Sequence, residues 1–340
     1  MQNYRDRFNS IMTVILDPNS NKDVLKKAIH SMDNIYSEIV DPEALSKLSG
    51  IERIPTPHGL AFSPIHVINC LTDVWRTSKY QRGICAAILE LKKRFPKEPL
   101  HIVYAGTGPY ATLLIPVLMT MNTQNLKFTF IDINQESLDM VSFIIKQLDL
   151  SHVDLELACG DASSMALDSP AHLVVTETMT AALEMEGQVA ISYNLGKQIK
   201  PNGILIPQEI QINAILADPQ NELHQTEKKF RKDRRIHLGR IFNLNLHQIL
   251  QNKNEGVPER LPASSIQIPK EIPAQYQLML TTEIKIWKDI VIEEYQSGLT
   301  LPFPYSLKEN NKDDSIIKFY YNTIGIPGFK NDPISEEINS

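Results

Sequence analysis

Three glutamates crowd one short stretch of the chain, ETMTAALEME, which sets Glu177, Glu184 and Glu186 around an apolar middle directly after the strand-like HLVV. Carboxylates in a first turn complement a helix dipole, so a solvated helix start is one explanation. A binding site for a cation is the other. At about 100° per residue a continuous helix puts Glu177 and Glu186 on opposite faces, and they converge only in a hairpin-like loop. Glu177 and Glu184 form the rival pair, sharing a face if the segment is helical throughout. Upstream, HIVYAGTGPYATLL (101–114) runs from an apolar strand into a glycine turn and then a helix. Gly106 and Gly108 allow a tight turn and close approach of a ligand, and the helix start offers unpaired N–H groups. Asp132 ends the next strand, in FTFIDIN, 24 residues after Gly108, where a carboxylate can accept both hydrogens of a ribose diol. Asp161, in CGDASS, follows a third strand and can accept from an adenine amino group or act as a turn or N-cap aspartate. A dinucleotide site is less attractive, because Ala111 holds the third glycine position.

Other chemistries find little support. The nine histidines form no HxxxH or HxH pair, and Cys70, Cys85 and Cys159 lie in apolar settings without CxxC spacing, so no metal is expected. There is no G-x-S-x-G or Walker-type loop. A net charge of −6 gives no basic field, so neither nucleic acid nor an anionic membrane is the expected partner. The basic run EKKFRKDRRIHLGR (227–240) reads as a solvated helix face rather than a binding patch. No apolar run reaches about 18 residues and the first residues lack a leader pattern, so a cytoplasmic protein is expected.

The elements that must position these residues fall into three regions. Residues 1–95 read as an N-terminal helical region, with DVLKKAIHSMDNIYSEIV periodic, Asp41 and Pro42 as a helix start, and one or two helices from IHVINC to Pro96. Such helices can cover a pocket as lids do. Residues 96–216 alternate short apolar runs with helical segments, the pattern of βαβ units and a parallel sheet. Residues 217–340 begin with a charged, linker-like region to about 272 and continue with β-rich stretches broken by KENNKDDS. The fold class expected is α/β: a Rossmann-like cofactor-binding sheet with N-terminal helices and a C-terminal mainly-β, barrel-like domain.

The order glycine turn, ribose acid, Gly-Asp resembles the class I S-adenosylmethionine (SAM) methyltransferases. Within them, ETMTAALEME, with Met179 two after its first glutamate, resembles the double-glutamate loop of the protein arginine methyltransferases. DVWRTSKY (73–80) is similar to that family's D-x-x-R-T-x-x-Y helix, IKPNGILIPQEI (199–210) to its L-x-P-x-G-x-x-x-P segment, and AGTGP to the glycine turn of its symmetric-dimethylating branch. The resemblance covers residues 66–216. It implies SAM as cofactor, Arg76 as the receiver of the SAM carboxylate, Glu177 and Glu186 as the grip on a substrate guanidinium, and a homodimer. Two positions depart from the pattern. Tyr104 stands where many methyltransferases carry an acidic residue two before the first glycine, and no T-H-W triplet follows, which leaves the third wall of the substrate pocket unassigned.

The chemistry this implies is N-methylation of a guanidino group, with free arginine or a related small molecule slightly favoured over an arginine-containing peptide. Two alternatives stand beside it. One keeps SAM but methylates an amine or hydroxyl of a specialised metabolite; the other is a non-enzyme scaffold that binds a partner through 227–240. Tyr80 and Tyr110 read either as cofactor-pocket residues or as ordinary half-buried aromatics.

Overall fold

The computed structural model of the protein describes residues 4–40, 43, 45, 48, 53–224, 234–252, 256–306 and 316–332. The expected helix start at Asp41 and Pro42, residues 227–233 of the basic run and the KENNKDDS loop lie outside these. The chain opens with two helices, α1 (Tyr4–Leu16) and α2 (Lys22–Ile39), the second capped by Asn21, whose side chain accepts from the Val24 amide at 3.1 Å. A two-stranded hairpin follows, β1 (Ile54–Thr56) and β2 (Gly59–Ala61), then a short helix α3 (Pro64–Asn69), a 3₁₀ turn (Cys70–Thr72) and the long helix α4 (Val74–Arg94).

The centre is a five-stranded, all-parallel sheet built from β3 (Leu100–Ala105), β4 (Leu126–Asp132), β5 (Asp154–Cys159), β6 (Ala171–Thr176) and β7 (Ile199–Ile206) in the order β5-β4-β3-β6-β7. Every residue of β3 and β6 is buried, as required of central strands covered on both faces. The crossovers carry α5 (Ile115–Thr120), α6 (Gln135–Gln147) and α7 (Gln188–Gly196). Strand order reverses at β3, so the loops after β3 and β6 flank a crevice at the carboxyl edge, where open α/β sheets bind ligands. Helices α1 and α2 pack against this region: Tyr36 stacks on Tyr110 at 4.8 Å, and both rings are buried.

After β7 the chain turns into an antiparallel sheet. Its strands are β8 (Glu209–Ala217), β9 (Ile236–Asn245), β11 (Gln277–Trp287) and β12 (Ile290–Ile292), ordered β12-β11-β8-β9, with β13 (Phe303–Pro304) also on β11; a second sheet joins β10 (Arg260–Gln267), β14 (Ile316–Asn322) and β15 (Gly328–Asn331). Phe242 of β9 stacks on Tyr321 of β14 at 5.4 Å and meets Phe329 of β15 edge-on at 5.5 Å, which locks the two sheets together. The α/β class with its parallel sheet and separate β unit is as the sequence predicts. The linker-like reading of 217–272 is corrected: β9, β10 and two short helices, Pro219–His224 and Leu246–Gln251, occupy it. The described end of the basic run is likewise not a helix face. Residues 236–240 enter β9, and Arg235 is buried between Glu222 and Glu294, at 2.7 and 2.6 Å. Flanking charge masked the strand-period alternation of IHLGRIFNLN.

Candidate active site

One cavity of about 810 Å³ opens at the crevice and is lined by Arg76, Gly106, Gly108, Asp132, Asp161, Glu177 and Glu186. Its volume falls within the roughly 300–1,000 Å³ of small-molecule sites. The glycine turn is built on left-handed residues, Gly106 at φ 78° and Gly108 at φ 63°. A Cβ on Gly106 would stand 2.7 Å from the Glu177 carbonyl oxygen, so the turn and the glutamate loop touch backbone to backbone. Asp132 accepts from the Gly108 amide at 2.7 Å and from the Asn134 amide at 2.8 Å. Burial pushes its carboxyl upward and these two amides pull it back. A carboxylate has about four acceptor positions, so two remain for ligand hydroxyls. Asp161 Oδ1 accepts from the Ser163 amide at 2.9 Å and from its hydroxyl at 2.6 Å, as in a turn aspartate, and Asp161 also lines the cavity.

The glutamate stretch is a loop and not a helix. It contains only a 3₁₀ turn, Ala181–Leu183, and Ala182, Leu183 and Met185 have φ of 57°, 58° and 67°. Left-handed backbone costs roughly 1–2 kcal/mol at a non-glycine residue, and the surroundings hold it. Tyr321 donates its hydroxyl to the Leu183 carbonyl at 2.6 Å, the Ala182 amide donates to Thr282 at 2.9 Å, and the Met185 amide to the Pro327 carbonyl at 3.1 Å. Gln188 closes the loop at its base: its Oε1 accepts from the Thr178 amide at 3.0 Å and hydroxyl at 3.1 Å, while its Nε2 donates to Thr176 at 2.7 Å. This geometry turns Glu177 and Glu186 into one cavity. Glu184 faces away, its Oε1 accepting from the Phe329 amide at 3.2 Å.

Arg76 and Glu177, each under one-tenth exposed, form a buried ion pair through Nη2. Nη1 of Arg76 donates to the Cys70 carbonyl at 2.8 Å, and its Nε–H is buried without a hydrogen-bond partner. Two side chains expected to serve different ligands are therefore partners. Burial pushes the Glu186 carboxyl up to about 7, against the opposing pull of Arg76 and Arg53. The N-cap Asp73 accepts from the Arg76 amide at 3.1 Å through Oδ1 and from Ser297 at 2.6 Å through Oδ2, which fixes the start of α4 and the β unit to each other.

Sequence reasoning missed the wall made by the β1–β2 hairpin. Thr56, His58 and Phe62 line the cavity, as does His66 of α3. Two-residue hairpin loops favour Asn-Gly or Gly, whereas this one is Pro57-His58, so the sequence carries no hairpin signal. Tyr80 and Tyr110 are core residues and do not line the cavity; α1 and α2 reach it only through Lys22. Among the described residues no group of three or more His, Cys, Asp or Glu side chains is arranged to hold a metal, and no helix is long and apolar enough to cross a membrane.

No protein-family model matches the chain, and no curated protein matches it in sequence. Among solved structures it is similar to the Trypanosoma brucei PRMT1 enzyme–prozyme heterotetrameric complex with AdoHcy, at 11% identity and a TM-score of 0.47, over 80% of this chain and 94% of that one. The chain's own sheet order and cavity define its class: a Rossmann-like α/β unit joined to an antiparallel β unit, with a cavity lined by several acidic side chains at the switch point of the parallel sheet.

Proposed function

We propose that the protein is a SAM-dependent N-methyltransferase whose acceptor is a guanidino group. One observation carries this: the glycine turn, Asp132 and both Glu177 and Glu186 line a single cavity, with the turn and the glutamate loop in backbone contact. The residues fit the cofactor. A Cβ on Gly108 would stand 2.5 Å from Val67 Cγ1, another cavity residue, so the glycine lets the turn pack closely against α3 at the cavity wall. Asp132 has acceptor positions left for a ribose diol, Asp161 is available to an adenine amino group, and the unpartnered Nε–H of Arg76 is a donor for a carboxylate. When bound, SAM supplies a methyl group on a positively charged sulfur.

The protein's own part is to hold the acceptor. A guanidinium is planar, permanently charged and weakly nucleophilic because its lone pairs are delocalised. Carboxylates on its edge grip it bidentately and draw the positive charge away from the nitrogen that is to react. Arg76 fixes Glu177 in place for this, and it offsets part of that residue's charge. Glu186, with its carboxyl raised to about 7, takes up the proton the acceptor nitrogen sheds. Orientation of this kind contributes several kcal/mol, and up to roughly 7–11 in favourable cases.

The test is mass spectrometry of methyl-labelled product with guanidines, amines and hydroxyl acceptors offered in parallel, comparing wild type with Glu186→Gln, which spares the Arg76 ion pair. Label on guanidines that falls in the variant is the expected result. Label only on non-guanidine acceptors, unchanged in the variant, overturns the reading.

A further inference from the structure

The acceptor side of the cavity is bridged by chain from three directions. The hairpin tip lies directly on the glutamate loop: Gly59 has φ 140°, a Cβ there would stand 2.7 Å from the Met185 carbonyl oxygen, and the Leu60 amide donates to that oxygen at 2.8 Å. Its other side is tied to the β unit. Nδ1 of His58 donates to the Thr323 carbonyl at 2.8 Å, and the Gly325 amide donates to the Pro57 carbonyl at 2.9 Å. The hairpin therefore spans from the glutamate loop to the β unit beside Glu186, a backbone wall that suits a small acceptor better than an extended peptide.

At the base of the hairpin stands Arg53, an exposed cation close enough for its charge to act on Glu186. Its guanidinium lies 4.5 Å from the centre of the Phe62 ring, a cavity wall, and Nη1 rests 3.3 Å from the Met185 sulfur. A thioether is a weak acceptor, and among the described residues Arg53 has no carboxylate partner. Arg53 stands behind Phe62 rather than in the cavity lining itself, and a fork of N–H donors with no carboxylate to hold, one ring away from a site whose floor is acidic, is suited to a carboxylate that arrives with the ligand.

We propose that the acceptor is a free guanidino acid: a small molecule whose guanidinium is held by Glu177 and Glu186 and whose carboxylate is held by Arg53. This rests on the guanidine reading above and narrows it to one substrate class. Both ends of such a molecule meet the opposite charge, whereas an arginine inside a polypeptide brings no carboxylate to Arg53 and must fit its backbone past the hairpin wall.

The experiment compares L-arginine, L-argininamide, the decarboxylated amine and an arginine-rich peptide as acceptors for wild type and Arg53→Met. Arg53 is exposed, so the variant is expected to fold, which its melting curve checks. Wild type is expected to favour arginine over argininamide by about tenfold to a hundredfold in kcat/KM, chiefly through KM, the effect of one charge-assisted contact. Arg53→Met is expected to reduce that preference to near unity. Calorimetry of arginine and argininamide, with S-adenosylhomocysteine present, should give the same ratio in Kd without turnover. Equal use of arginine and its amide by wild type, a preference that survives in the variant, or better use of the peptide overturns the proposal and leaves guanidine methylation standing. Label on no guanidine at all overturns both.

Discussion

Replacing Glu186 by glutamine is expected to stabilise the protein at pH 8 while impairing the transfer of a methyl group to a guanidine. Burial raises this carboxyl from its ordinary 4.5 to about 7. Between those values the folded protein keeps a proton that the unfolded chain has released, so the unfolded state binds fewer protons and stability falls as pH rises. Relative to a permanently neutral side chain, nothing is lost below pH 4.5, and the loss is complete above about 7. At about 1.36 kcal/mol per pH unit the upper limit is about 3 kcal/mol. Glu186 is part-exposed to the cavity, and solvent reduces the figure to about 2 kcal/mol. Urea unfolding of wild type and Glu186→Gln should therefore give closely matching midpoints at pH 4 and a more stable variant at pH 8. Loss of a charge-assisted bond to the acceptor, worth about 1.5–3 kcal/mol, lowers kcat/KM roughly 10- to 150-fold. The acidic limb of the wild-type pH profile, where Glu186 is protonated and cannot grip a cation, should vanish with it. A stability difference that is the same at both pH values would refute the burial argument, and an unchanged kcat/KM would remove Glu186 from the site.

Three further substitutions probe the frame around it. Gly106→Ala forces a Cβ to 2.7 Å from the Glu177 carbonyl oxygen at φ 78°; a cost of at least about 1–2 kcal/mol and loss of the calorimetric signal for S-adenosylhomocysteine are expected, and wild-type affinity would contradict the contact. Gln188→Ala removes the tie between Thr176 and Thr178; each buried group left unpaired costs about 1–3 kcal/mol, so both melting temperature and kcat should fall, and an unaltered kcat would show the loop needs no such closure. Arg76→Met leaves Glu177 buried without its counter-charge, at about 3–5 kcal/mol; adding Glu177→Gln should recover stability in unfolding experiments without recovering activity, and failure to recover would mean the pair is not what the loss reports.

Local order was readable wherever periodicity and burial agree. β3 and β6 are largely apolar runs because both of their faces are covered, and the glycine turn is legible because only glycine takes its backbone angles cheaply. The spacing of Glu177 and Glu186 demanded a loop if they were to meet, and a loop is what the chain forms. Where charge flanks a strand, as at 236–245, or a hairpin lacks its usual turn residues, as at Pro57-His58, local signals point elsewhere and only pairing with distant segments defines the element.

By itself, then, the sequence determined the α/β order, the glycine turn, and which acids lie at the carboxyl ends of the strands, since these follow from residue type and from periods of two and 3.6. It left open which glutamates converge. Tertiary structure decided that, because Ala182, Leu183 and Met185 adopt left-handed backbone only under bonds from Thr282, Tyr321 and Pro327, residues roughly a hundred or more positions away. The ion pair of Arg76 with Glu177, 101 positions apart in the chain, is of the same kind: a buried charge takes whichever counter-charge the fold brings to it, and no local pattern records that choice.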